Sequence, residues 1–146
     1  MINKLVLVAG IVAYRDKRGQ TEWFVIKTAE SSGWELPKRD VRRGESSVRA
    51  AIRLMDDVGE SARVLEEAGR ATVSTTSDGE SIDQKLIFYL MRRGTGGMVG
   101  ITKVEGKWMP YASAKRGLSL VREQRILQQA NSTLRAWQRQ ERIKSR

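Results

Sequence analysis

The sequence predicts an α/β (α+β) fold: a mixed β-sheet with helices packed against it. Two kinds of apolar periodicity and their order along the chain carry that expectation. Short apolar runs of strand type occur near the N-terminus, in the middle of the chain and before residue 110. Spacing of helical type appears once after residue 45 and again from about residue 119. The resulting order is strands, helix, strands, helix, which fits mixed pairing better than regular βαβ units.

Each element has its own justification. Residues 5–14 are rich in Val, Ile and Leu, broken only by Ala9-Gly10, and predict a long buried strand. The polar stretch Asp16-Lys17-Arg18-Gly19-Gln20 is a turn, and Trp23-Phe24-Val25-Ile26 is the partner strand of a hairpin. Residues 28–33 form a loop of small residues, and Pro37 prevents any helix there. Val48, Ala51, Ile52 and Met55 stand at i, i+3, i+4 and i+7, a single helical stripe. Glu45, Ser46 and Ser47 suit its N-terminal end, and Gly59 suits its stop. Residues 63–74 predict one or two strands, Ser77-Asp78-Gly79-Glu80 a turn, and Lys85-Leu86-Ile87-Phe88-Tyr89-Leu90 a second core strand. Composition makes 94–100 a flexible loop, and Lys107-Trp108-Met109-Pro110 ends another extended piece. From Ser119 onward, Leu120, Leu127, Ala130, Leu134 and Trp137 recur at helical spacing and predict a long amphipathic, basic C-terminal helix. A single domain over residues 1–146 is expected.

Composition narrows the chemistry. With no Cys, the chain has no thiolate nucleophile, disulfide or zinc ribbon, and with no His it has no imidazole base or ligand. Acid–base or metal chemistry must come from carboxylates, Lys or Tyr. A net charge of +10 favours polyanionic partners, nucleic acid or phosphorylated small molecules, unless it serves solubility alone. No targeting or membrane-spanning segment is evident, so a soluble cytoplasmic protein without a membrane partner is expected.

One stretch is specific. Gly33-Trp34-Glu35-Leu36-Pro37-Lys38-Arg39 leads into Gly44-Glu45, then Arg53-Leu54-Met55-Asp56-Asp57-Val58-Gly59. This segment resembles the Nudix box, G-x5-E-x7-R-E-U-x-E-E-x-G-U with U aliphatic, which is usually preceded by a W-x-L-P-K-like sequence. Val8-Ala9-Gly10-Ile11-Val12 is similar to the family's first strand. The strand at 85–90 and Gly106-Lys107-Trp108-Met109-Pro110-Tyr111 resemble the later strand and Trp motif of its diadenosine-polyphosphate-hydrolase branch. The matching order spans roughly nine-tenths of the chain. The resemblance implies a mixed sheet sandwiched between helices. It also implies attack of water on phosphoanhydrides of nucleoside-diphosphate-linked compounds, assisted by Mg²⁺ or Mn²⁺ on helix carboxylates.

The resemblance further implies residue roles. Glu45, Asp56 and Asp57 would be catalytic and hold the metal, Lys38 and Arg53 would hold phosphates, and Phe88 or Tyr89 would stack on the base. Nucleotide or dinucleoside polyphosphate is the expected partner, with RNA a second one for the basic surface. Three departures weaken the catalytic side: Arg39 replaces the first box glycine, Leu54 replaces the glutamate after the arginine, and the chain is one residue short before Gly59. Asp57 falls on a carboxylate position in either register and Asp56 in only one. Arg49 and Arg53 lie with Glu45 at i, i+4, i+8, and a guanidinium binds phosphate but cannot act as a base near neutral pH. Hydrolysis is therefore expected to be weak or lost, with Mg²⁺ or Mn²⁺ as cofactor if active and none otherwise, and the alternative is a non-catalytic binder of nucleotide or RNA. Plainer readings stand beside these: a surface ion ladder for Glu45, Arg49 and Arg53, core packing for Phe88, a structural role for Trp108, a loop cation for Lys38, and a solvated basic helix end.

Overall fold

The computed structural model describes residues 3–27, 33–94 and 105–144. The loop expected at 28–33 and the flexible stretch expected at 94–100 therefore lie almost wholly outside the described residues. Strand β1 (Asn3–Lys17) turns through Arg18 and Gly19 into β2 (Gln20–Lys27). A short β3 (Lys38–Asp40) precedes helix α1 (Ser47–Asp57). The hairpin of β4 (Ala62–Ser77) and β5 (Glu80–Arg93) follows, then β6 (Glu105–Pro110), α2 (Tyr111–Gly117) and α3 (Val121–Lys144). Both hairpin turns place two residues at positive φ, Arg18 and Gly19 at 52° and 79°, Asp78 and Gly79 at 50° and 77°. That geometry matches the twist of the flanking strands and explains glycine at the second position of each turn.

The sheet order is β4-β5-β1-β2-β6, with β3 also paired to β1. β1 and β5 run parallel, and the other pairings are antiparallel. Each face of the sheet carries its own core. Val8, Val12, Trp23, Val25, Leu86, Phe88 and Leu90 pack towards α2 and α3, where Leu118, Ile126, Leu127, Ala130 and Leu134 cover them. Ala9, Ile11, Ala13, Phe24, Ile26, Tyr89 and Met91 pack on the other face against Ala50, Ala51, Leu54 and Met55 of α1. Phe88 and Tyr89 thus point to opposite faces, as strand alternation requires.

Several details differ from the sequence-based expectation. Leu5 and Leu7 are 57% and 44% exposed, because α1 covers their face only from Ala9 onward. The α1 stripe is rotated: Ala50, Ala51, Leu54 and Met55 are buried, Val48 is half-buried and Ile52 is exposed. Helix α2 has no counterpart in that expectation, whereas residues 63–74 do form one of the one or two strands expected, with two bulges in it.

Three connections hang the box segment on the sheet. β3 occupies the edge of β1 at Val8, Ala9 and Gly10, while β2 pairs with the same edge further on, at Tyr14 to Lys17. Between them, Ile11 N–H donates to the Pro37 carbonyl at 3.0 Å, and on the far side of β3 Val41 N–H donates to the Leu7 carbonyl at 2.9 Å. Ile26 and Glu35 exchange both backbone hydrogen bonds at 2.8 Å. The segment leading to α1 is therefore rigid backbone.

Gly10 is required at the centre of this arrangement, since a Cβ there would overlap the ring of the fully buried Phe88. Gly10→Ala should lower stability by about 3 kcal/mol in denaturant unfolding, and the double change Gly10→Ala with Phe88→Leu should lose less than the two single changes summed.

Candidate functional site

The box loop closes on itself before the helix begins. Glu45 N–H donates to the Arg42 carbonyl at 3.0 Å, and the Arg42 N–H returns to Glu45 Oε1 at 3.1 Å. Ser46 caps α1, its Oγ accepting from Arg49 N–H at 3.2 Å. Ser47 Oγ hydrogen-bonds the Tyr89 hydroxyl, which ties the start of the helix to β5.

An alternating chain of charges runs across the face so formed. Arg53 Nε and Nη2 donate to the two oxygens of Glu45 at 3.0 and 3.1 Å, a bidentate pair linking the second half of α1 to the loop. Asp57 lies one turn beyond Arg53 and accepts from Nη1 of Arg39. The Arg53 hydrogen bonds, with the Arg42 N–H and charge, hold the Glu45 carboxyl down to about 2. The hydrogen bond from Arg39, with charge from Arg39, Arg53 and Arg42, lowers Asp57 below the usual carboxylate range. The carboxylates keep their charge, and guanidinium groups already compensate it.

The remaining expected site residues lie elsewhere. Asp56 is exposed on a neighbouring arc of α1, and Arg49 is exposed beside the cap. Lys38 does not face the loop: its ammonium donates to the Leu36 carbonyl at 3.1 Å and to the fully buried Glu123 of α3, whose other oxygen accepts from Leu36 N–H at 2.8 Å. Phe88 is 0% exposed, so no ring face is open to a base. Tyr89 is also buried, with its hydroxyl on Ser47. The half-buried aromatic ring on the α1 side of the sheet is Trp108, packed on Phe24 at 5.0 Å between centroids. The guanidinium carbons of Arg15 and Arg93 lie 4.9 and 5.7 Å from the Trp108 centroid. Glu105, at the exposed start of β6, pairs in register with Lys27 of β2.

This arrangement of strands and helices matches known structures. Ap4A hydrolase from C. elegans, in a binary complex, superposes with a TM-score of 0.72 at 20% identity, covering 90% of this chain and 98% of that one. A NUDIX hydrolase from Nitrosomonas europaea gives 0.65 at 12% identity, covering 89% and 90%. The NUDIX domain of Shewanella oneidensis NrtR, complexed with ADP ribose, gives 0.62 at 15% identity, covering 90% and 88%. The chain has the Nudix fold. No family model and no curated protein matches it by sequence. Among the described residues, no helix is long and apolar enough to cross a membrane.

Within the Nudix fold, a divalent metal would need oxygen donors gathered on α1 and its loop. Among the described residues, no group of three acidic side chains is placed to hold an ion. Glu45, Asp56 and Asp57 do not converge, and two of the three are already paired with arginine. The described residues of this face do not fit a metal cluster.

Two further residues matter, Arg39 and Glu123. Arg39 stands where the box pattern has a glycine, and its pairing with Asp57 depends on how the loop lies beside α1. Glu123 falls in the apolar series Glu123, Leu127, Ala130 and Leu134, spacing that could have marked it as inward-facing.

Removing one partner of a buried, hydrogen-bonded ion pair costs several kcal/mol. Glu123→Ala should therefore destabilise the protein by about 3 kcal/mol in chemical unfolding, since Lys38 and the Leu36 N–H both lose their acceptor. Glu45 has a depressed folded-state pKa, so its contribution is complete above 4.5 and is lost as pH falls towards about 2. Thermal melts of Glu45→Gln should show a smaller loss of stability across that window than the unsubstituted chain.

Proposed function

We propose that this protein belongs to the dinucleoside-polyphosphate-hydrolase-like branch of the Nudix superfamily. In this reading it binds a nucleoside-diphosphate-linked ligand through arginines on the box face, with metal-assisted hydrolysis weak or lost. One observation carries the reading: the box carboxylates Glu45 and Asp57 are each engaged by a guanidinium, Arg53 and Arg39 respectively. Support for the ligand class comes from the neighbours, an Ap4A hydrolase and a domain complexed with ADP ribose.

The chemistry follows from the donor inventory. An arginine has five N–H donors. Arg53 commits two nitrogens to Glu45, and Arg39 commits one to Asp57, so each retains donors for a phosphate oxygen. Arg42 adds a third cation whose charge already acts on both carboxylates. A diphosphate laid across this face meets positive charge without a metal intermediary, and the guanidinium groups it meets cannot deprotonate water. Lys38 is not assigned a phosphate contact, because its ammonium points to Glu123. RNA, the other expected partner, would engage a separate surface, the outer face of α3.

Calorimetric titration with ADP-ribose and with diadenosine tetraphosphate should give binding that survives EDTA. Arg53→Gln should weaken it about tenfold, the loss of one charge-assisted contact. Incubation with Mg²⁺ or Mn²⁺ should release no nucleotide above the protein-free rate. Brisk release abolished by Asp57→Ala would establish an enzyme instead.

A further inference from the structure

Helix α3 sorts its charges by side. Its two acidic residues are Glu123 and Glu141, separated by five helical turns and so placed on the same side, the one that packs on the sheet. The opposite side carries Arg125, Gln128, Ser132, Arg135, Arg139 and Arg142, all exposed, within an arc of roughly 100°. No acidic residue of α3 interrupts that arc. Arg125 and Arg142 are about 25 Å apart along the axis. Lys115 of α2 adds a cation beside it, donating to Gln128 at 3.5 Å. Ser132, Arg135, Gln138, Arg139 and Arg142 line an open groove of about 460 Å³ along the helix.

Two ordinary explanations fail. Cations in the last turn complement the helix dipole, which accounts for Arg142 and Lys144 but not for Arg135 at mid-helix or Arg125 near the N-terminal end. A merely solvated helix face mixes signs and uses i, i+4 ion pairs, whereas this face has one sign throughout. Its neutral positions are Gln and Ser, which hydrogen-bond to sugar and phosphate. The exposed apolar residues of α3, Val121 and Ile143, stand at its opposite ends, so the face has no apolar strip to insert into lipid.

We propose that the outer face of α3 binds the phosphodiester backbone of single-stranded RNA without sequence preference, through Arg125, Arg135, Arg139 and Arg142. This surface is independent of the box face, so nucleotide binding there could fail while RNA binding persists, and the reverse.

Fluorescence anisotropy of a labelled 20-nucleotide oligouridylate with the full chain tests it. Four phosphate contacts predict a slope of log affinity against log salt of about −3. Arg135→Gln with Arg139→Gln should weaken binding at least tenfold and roughly halve that slope, with circular dichroism confirming an intact helix. Lys17→Gln with Arg18→Gln removes the same charge from the β1–β2 turn and should leave affinity within twofold. Absence of binding, a flat salt response, or equal losses from both pairs of substitutions would overturn the proposal. Binding to phosphatidylserine vesicles with none to RNA would overturn it as well.

Discussion

Backbone hydrogen bonding along one edge of β1 determines where every group on the box face lies. That edge is shared by β3, by the Pro37 carbonyl and by β2, so the segment from Glu35 to Val41 is anchored from two sides before α1 begins. The other edge of β1 is held in parallel register by β5, with Gly10 admitting the Phe88 ring. Glu123 reaches from α3 to the same segment and satisfies Leu36 N–H and the Lys38 ammonium together. Arg39 and Glu45 are thereby presented to α1 by a scaffold that leaves them little choice of position.

With the backbone fixed, the side chains decide the chemistry. A Nudix-type metal site depends on negative charge that protein cations leave uncompensated. Here the sequence of charges is Glu45, Arg53, Asp57, Arg39, and each carboxylate has its own guanidinium. A divalent ion would have to displace those donors as well as shed water. The same arginines have further N–H donors beyond those given to the carboxylates. Arginine and carboxylate therefore alternate along one surface, and neither of these two carboxylates stands without a cation beside it.

The architecture was largely legible in the sequence, and the reason is local. Alternation fixed Phe88 and Tyr89 on opposite faces, the glycines at 19 and 79 marked the two tight turns, and Ser46 marked the start of α1. Inaccuracies arose where burial depends on what lies above a residue. Leu5 and Leu7 look like core until α1 proves too short to reach them. Ile52 fits the helical stripe, but the axis of α1 is set by how Ala50, Leu54 and Met55 meet the sheet.

The order of elements and the seven-residue spacing between Glu45 and Arg53 could be read from the chain alone, because each is a property of neighbours along it. Folding alone reveals that Arg39 pairs with Asp57, that Lys38 turns inward to Glu123 and that Phe88 offers no surface. Those partners lie 18 and 85 residues apart in the first two cases. In the third, the ring is closed off by layers drawn from both halves of the chain. A side chain's direction follows from its backbone, but its partner is fixed only when distant backbone arrives, and no local pattern encodes that meeting.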